Sequence, residues 1–220
     1  MASVSISGVV ACHRCPVRYY LERGTDSAES ERYTVAKQIS YALGQPLDPK
    51  ALWREVLAVS PGIDPAMEAE CAAWVEACGQ RNWRTAAEHD VPVASEELGI
   101  RGTIDRIFDE EPYFAIVRSS EAPAAGIYTS DRIRIACFCV CMEETLGIRP
   151  NGGVVEYVPS GAARLCIPQP RDRRAALRAL AAAHRIENGD VPRKPRNAPC
   201  ERCHLEETCS AGARRLSDLL

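Results

Sequence analysis

Cysteines at the two ends of the chain constrain its fold more than any other feature of the sequence. The C-terminal group has the spacing Cys200-x2-Cys203-x5-Cys209, and the N-terminal group is the pair Cys12-x2-Cys15. Two thiolates separated by a two-residue turn can bind the same metal centre, and a third thiolate further along can join them. Since such a centre usually has four protein ligands, we expect the fold to bring the two ends of the chain together around a metal site.

The cysteine count also bears on the redox environment. The chain has eleven cysteines in 220 residues, and its uncharged first ten residues are too briefly apolar to form a secretory signal. We therefore expect a cytoplasmic protein, in which an odd number of cysteines favours metal ligation and buried thiols over disulfides. The cysteines expected to be buried inside helices or a strand are Cys71, Cys78, Cys137, Cys139, Cys141 and Cys166.

The overall composition excludes two classes of protein. No apolar run is long enough to span a bilayer, so we expect no contact with a membrane. The net charge of −3 excludes a uniformly basic surface. Any contact with nucleic acid must therefore come from a local basic patch.

The spacing of the terminal cysteines leaves the identity of the metal open. Zinc would take both Cys-x2-Cys pairs as ligands and would leave Cys209 unused. An iron–sulfur cluster would take all three C-terminal cysteines and one cysteine of the N-terminal pair. Spacing by itself favours neither centre.

Local sequence patterns predict a single mixed α/β (α+β) domain over residues 1–220. Residues 1–90 are predicted to be helical, residues 91–170 to form a small sheet with an inserted helix, and residues 171–220 to form a long helix followed by the cysteine-rich segment. The predicted strands are 91–93, 100–108, 113–118, 153–158 and 164–167.

Helix boundaries are predicted from capping residues. Asp48-Pro49 and Asp64-Pro65 carry the same start signal, an Asp N-cap followed by Pro in the first turn. Ser130-Asp131 is predicted to cap a helix that runs to Leu146 and ends at Gly147. A last helix is predicted over residues 171–187.

Asp105 is the first candidate for chemistry outside the cysteines. It lies in a predicted strand, where burying an acid is costly unless the carboxylate binds something. Nucleases that use divalent metals need carboxylates on adjacent strands, so Asp105 is a candidate ligand for Mg²⁺ or Mn²⁺. An ion pair with Arg101 or Arg106 is the alternative.

Motifs spread over nearly the whole chain resemble those of the RecB-like CRISPR-associated exonucleases (Cas family four). They are, in order, Cys15-Pro16-x-Arg18-x-Tyr20, Gly102-x-x-Asp105, a following strand, a helix ending in Glu-Glu-Thr-Leu-Gly at residues 143–147, and the C-terminal cysteine group.

The resemblance implies a restriction-endonuclease-like PD-(D/E)XK core with N-terminal helices and a C-terminal iron–sulfur module. It implies a [4Fe–4S] cluster on Cys15, Cys200, Cys203 and Cys209, with Cys12 left over. It also implies metal-dependent exonuclease action on DNA, with single-stranded DNA as the expected substrate. A role in preparing CRISPR spacers is implied as well, with the CRISPR adaptation integrase as a partner.

The sequence departs from the family pattern at the site of cleavage. The expected acid-x-Lys is replaced by Ile116-Val117-Arg118, and the expected Gln-x3-Tyr is replaced by Arg134-x3-Phe138. The early helix at residues 33–43 also lacks the family's metal-binding His. Asp105 and Arg118 remain as candidate catalytic residues, although an arginine holds a phosphate and does not act as a base.

Other acids could replace the missing carboxylate. The candidates are Asp131, whose alternative role is the N-cap given above, and Glu121 just beyond the strand. Without such a replacement the site would bind Mg²⁺ poorly, because this ion relies on anionic oxygen ligands.

Arginines gained around the site suit binding of a phosphate backbone. Arg134, Arg171 and Arg174 are the candidate nucleic-acid-binding residues, and a solvated, charge-balanced helix face is the alternative for the last two. Three functions remain open from the sequence: an active exonuclease with a relocated acid, a catalytically silent DNA-binding or adaptor protein, and a zinc-stapled structural protein.

Overall fold

One mixed β-sheet lies at the centre of the computed structural model, which describes residues 3–24, 29–196, 198–206 and 209. The strands are β1 (Val4–Ser5), β2 (Glu88–Ser95), β3 (Ile100–Ile107), β4 (Phe114–Arg118), β5 (Gly153–Tyr157) and β6 (Ala162–Cys166). The helices are α1 (Ile6–Arg14), α2 (Pro16–Glu22), α3 (Glu31–Ala42), α4 (Pro49–Val59), α5 (Met67–Gly79), α6 (Thr129–Leu146) and α7 (Pro170–Glu187). Short 3₁₀ helices cover Val158–Ser160 and Cys200–Arg202.

The order of strands leaves a gap along one edge of β3. Strands β2, β3 and β4 are antiparallel neighbours, β5 runs parallel to β4, and β6 is antiparallel to β5. Since β2 pairs with β3 along its whole length, β1 and β4 share the other edge of β3. On that edge β1 pairs at Ile100 and Arg101, and β4 pairs at Arg106 and Ile107. The stretch 102–105 between them therefore has no partner strand on this edge within the described sheet.

Helices cover the sheet on both faces. Neighbouring side chains of a strand point to opposite faces, and in β4 Ile116 packs into the core formed with α1, α6 and α7, whereas Val117 packs into the core formed with α3, α4 and α5. Both side chains are almost fully buried. The gap in strand pairing therefore lies between two groups of helices that are each held by their own apolar core.

Most of the predicted architecture is confirmed. The fold is mixed α/β, Asp48 caps α4 by accepting from the backbone N–H of Lys50, and α6 ends at Gly147, which has a left-handed φ of 68°. The cysteines that were expected to be buried are buried. None of the helices among the described residues is long and apolar enough to cross a membrane.

Two predicted helix starts and one predicted boundary are wrong. Asp64 accepts from the N–H of Ala66 in a turn, and α5 begins only at Met67. Helix α6 begins at Thr129, so Asp131 lies inside its first turn instead of at its N-cap. The predicted helical part, residues 1–90, also contains β1 and the start of β2.

Candidate functional site

A cavity of about 550 Å³ opens at the gap along β3. Its walls come from the start of α1, the start of α3, strands β3 and β4, and helix α6; we call it the cleft. Gly102 lies in its wall, and a Cβ there would stand 2.8 Å from Ile6 Cδ1 and 3.0 Å from Phe138 Cε1. Glycine therefore allows α1 and α6 to pack closely against β3 at the cleft. The polar and charged residues of the lining are Ser5, Ser7, Glu29, Ser30, Tyr33, Thr103, Asp105, Arg118, Ser119 and Arg134.

Asp105 is held by three neighbours in this cleft. Its Oδ2 accepts from the backbone N–H of Val117 at 2.7 Å, and its Oδ1 lies 2.5 Å from Lys37 Nζ and 3.2 Å from the hydroxyl of Tyr33. The bond to Val117 joins β3 and β4 where the two strands no longer pair. The alternative of an ion pair between Asp105 and Arg101 or Arg106 is wrong, because the partner of Asp105 is Lys37.

Lys37 is a site residue that sequence reasoning missed. Its ammonium group also contacts the carboxylate of Asp90 on β2, so one cation lies between two acids. Burial by itself lowers the pKa of Lys37, but the charges and hydrogen bonds of Asp105 and Asp90 outweigh burial and raise it above its usual value. The lysine is therefore firmly protonated.

A pattern in α3 could have located this residue. Tyr33, Lys37 and Tyr41 are spaced four residues apart, so they lie along one side of the helix. Tyr33 contacts Asp105, and Tyr41 donates to Asp90. Burial, followed by the nearby carboxylate in each case, raises the pKa of both tyrosines, so both hydroxyls stay protonated donors.

Arg118 points into the cleft from the end of β4 and is paired with an acid of α6. Its Nε lies 2.9 Å from Asp131 Oδ1. The other oxygen of Asp131 accepts from the hydroxyl of Tyr157 at 2.9 Å. Asp131 is thus a buried counter-ion for Arg118, and it lies in the first turn of α6 instead of at its N-cap.

Arg134 enters the same cleft from α6. Its Nη1 donates to Ser7 Oγ at 3.0 Å, whereas its buried Nε has no hydrogen-bond partner among the described residues. Burial lowers the pKa of Arg134, and the neighbouring charge of Arg118 lowers it further. The fold therefore brings two like-charged guanidinium groups to one cavity.

The remaining candidates lie outside the cleft. Glu121 accepts from the hydroxyl of Ser160. Arg171 and Arg174 are exposed on α7, which packs against α1 and α6. At the position of the expected second carboxylate, Ile116 is buried in the core.

The two ends of the chain meet at the cysteines, as their spacing predicts. Cys15, Cys200 and Cys203 line one cavity of about 240 Å³ together with Arg14 and Arg18. This cavity lies at the end of α1 opposite to the cleft. Among the described residues no group of three or more His, Cys, Asp or Glu side chains is arranged to hold a metal ion.

Lys194 adds a further cation beside these cysteines. A hydrogen bond to Cys200 raises the pKa of Lys194 most, followed by the electrostatic effect of Cys200, Cys209 and Cys15. Cys12 lies elsewhere, buried in the apolar core, where burial raises the pKa of its thiol to about 11. Cys12 is therefore not among the cysteines that line the cavity at the chain ends.

A scan against protein-family models and a search of curated proteins find no match to this chain. The resemblance to RecB-like CRISPR-associated exonucleases therefore stays a prediction from the motifs.

Proposed function

We propose that this chain is a cytoplasmic iron–sulfur protein with a restriction-endonuclease-like core, and that it binds single-stranded DNA without cutting it. The observation that carries the proposal is the ammonium group of Lys37, which lies between Asp105 and Asp90. A metal-dependent nuclease needs a divalent ion bound by clustered carboxylates. Here Asp105, which lines the cleft, and Asp90, which lines the neighbouring cavity, already bind a cation of the chain itself.

Displacing that cation would be costly. The side chains of Lys37 and Asp105 are only 12 % and 10 % exposed, so releasing either one leaves a poorly solvated charge. Ile116 supplies no second anionic oxygen from β4, and Mg²⁺ depends on such oxygens. Arg118 and Arg134, in contrast, offer the cleft two guanidinium groups suited to phosphate.

The order of elements supports a restriction-endonuclease-like core. Helix α5 is followed by the antiparallel strands β2, β3 and β4, then by α6 and by β5 parallel to β4. Asp105 on β3 and residues 116–118 on β4 then lie side by side, where that fold has its active site.

The cysteines around Lys194 fit an iron–sulfur cluster by their chemistry. Cys15, Cys200, Cys203 and Cys209 would hold a [4Fe–4S] cluster, which supplies a one-electron redox centre and a link between the chain ends when bound. Such a cluster on four thiolates is anionic, and the positive side chains of Arg14, Arg18 and Lys194 complement that charge. A role in CRISPR spacer acquisition, beside the adaptation integrase, would follow from the family resemblance.

A metal-dependent exonuclease is the second candidate, and Asp90 favours it. Because Asp90 and Asp105 contact the same ammonium group, their carboxylates are close enough to share an ion if Lys37 moves away. Asp90, which was not among the sequence candidates, would then be the relocated acid.

One experiment separates the two candidates. Anaerobically purified protein is incubated with end-labelled single-stranded DNA and Mn²⁺ or Mg²⁺, beside the variants Asp105→Asn and Asp90→Asn, and binding is measured by fluorescence anisotropy on the same samples. We expect binding without cleavage. Cleavage that disappears in both variants would refute the proposal and would establish the nuclease.

A further inference from the structure

A second cavity of about 550 Å³ adjoins the cleft at the start of α1. Ser5 and Ser7 line both cavities, so the N-terminal turn of α1 lies between them. The second cavity also contains Arg23, at the end of α2, and Arg101 of β3. We call the two cavities together the groove.

Each part of the groove contains an arginine whose hydrogen bonds are incomplete. In the cleft this is Arg134, through its Nε, and in the second cavity it is Arg23, whose buried Nη1 has no partner among the residues that the structure describes. Arg101 is exposed beside Arg23. A buried guanidinium nitrogen without an acceptor is costly, so both ends of the groove favour an anionic acceptor.

The helix start between the two cavities favours anions as well. Ser5 caps α1 by accepting from the N–H of Gly8 at 2.9 Å, and the N–H groups of the first turn beside it have no acceptor within the helix. The positive end of the helix dipole therefore lies at the middle of the groove.

The acids near the groove are mostly engaged by other residues. Asp105 is paired with Lys37, Glu187 accepts from the hydroxyl of Tyr19 at 2.6 Å, and Glu22 is paired with Arg18 at 2.9 Å. Asp131 is paired with Arg118 at 2.9 Å and offsets part of the charge of that arginine. Glu29, exposed in the cleft lining, is a further acid that opposes an anion here.

We propose that the groove is a track for a single strand of nucleic acid, with one phosphate at Arg118 and Arg134 and another at Arg23 and Arg101. Positive groups in two neighbouring cavities match a ligand with several linked anions better than a single small anion. This inference rests on the proposed binding of single-stranded DNA and adds the direction in which the strand leaves the cleft.

The test compares oligothymidylates of two lengths, about three and about twelve nucleotides. Arg101→Glu is the main variant, because an exposed side chain can be reversed in charge without disturbing the core. Arg149→Glu is the matched control, since Arg149 is 83 % exposed on the loop after α6. Anisotropy is recorded over a range of salt concentrations.

We expect Arg101→Glu to weaken binding of the long strand several-fold and to change binding of the short strand little. The slope of log affinity against log salt should fall by about 0.7 for each phosphate that the variant no longer neutralises. Arg23→Ala should act in the same way, and Glu29→Gln should tighten binding of both strands.

The outcomes separate the groove from the proposed function. If the wild-type protein binds the long strand and Arg101→Glu and Arg23→Ala both behave like Arg149→Glu, the track is wrong while DNA binding stands. If the wild-type protein binds neither strand, the proposed function fails and the track with it.

Discussion

Lys37 on α3 lies 2.5 Å from Asp105 on β3, and the two residues are 68 positions apart in the chain. The same ammonium group contacts Asp90 on β2, so a helix and two strands meet at one charged group. In the restriction-endonuclease-like core that we propose, an active nuclease would hold a metal ion at Asp105. Here the place beside Asp105 is taken by a side chain.

Replacing Lys37 tests whether its ammonium group occupies the place of a metal ion. Lys37→Met leaves Asp105 and Asp90 without their shared cation, and removing one partner of a buried pair typically costs about 3–5 kcal/mol of unfolding free energy. Mn²⁺ should restore part of that loss in the variant and leave the wild type unchanged. Chemical denaturation with and without Mn²⁺ measures both effects, with the exposed Lys50→Met as control. Equal stabilisation of the wild type by Mn²⁺ would show that Lys37 does not take the place of a metal.

Replacing a cysteine of the chain-end cavity should change the metal content of the protein, whereas replacing Cys12 should not. Cys203→Ala should lose the brown colour and most of the iron of anaerobically purified protein, because Cys203 lines the cavity at the chain ends. Cys12→Ala should keep both, because its thiol is buried in the apolar core. Iron, sulfide and zinc are assayed together with the visible spectrum. Loss of bound zinc in both variants, with no iron in the wild type, would favour the zinc alternative.

The buried pair between Arg106 and Glu156 should be essential for stability. Arg106 Nη1 lies 2.6 Å from Glu156 Oε1, and their side chains are 0 % and 4 % exposed. Burial raises the pKa of Glu156, and Arg106 opposes that rise. Arg106→Met should cost about 3–5 kcal/mol, because it leaves a buried carboxylate without its counter-ion.

A double variant tests the reason for that cost. In Arg106→Met with Glu156→Gln, neither member of the pair carries a charge, so part of the stability should return. The carbonyls of Leu43 and Arg84, which accept from Arg106 in the wild type, still lack that donor. Arg149→Met, which removes an exposed pair with Glu143, should cost less than about 1 kcal/mol. No recovery in the double variant would mean that packing, and not charge, sets the loss.

From the buried thiols of α6 we predict how the free energy of unfolding depends on pH in the alkaline range. Burial raises the pKa of Cys137, Cys139 and Cys141 from 9.0 to about 12. Between these values the unfolded chain releases protons that the folded chain keeps, so stability is complete below pH 9 and falls as pH rises towards 12. Each thiol contributes a slope of about 1.4 kcal/mol per pH unit.

Denaturation curves at several pH values above 9 measure that slope. Cys141→Ala should reduce it by about 1.4 kcal/mol per pH unit, since one titrating group is removed. A slope that is the same in the variant and the wild type would contradict the burial of this thiol.

Features that depend on short stretches of chain follow from the sequence. The cap at Asp48, the stop at Gly147 and the burial of the internal cysteines each rest on neighbouring residues, and all are confirmed. The meeting of the chain ends was also predicted, because too few thiols lie at either end for a four-ligand centre.

Tertiary structure alone decided what the charged residues do. The residues around Asp131 are typical of a helix N-cap. Asp131 is nevertheless a buried partner of Arg118, because the end of β4 lies beside the first turn of α6. Lys37 has an ordinary place in a helix, and only the packing of α3 over the gap in β3 brings it to Asp105. Two opposite charges attract strongly in a site with little water, but the gain exceeds the cost of desolvation only where the fold sets a good geometry. The residues next to Lys37 or Asp105 in the sequence do not indicate a partner 68 positions away.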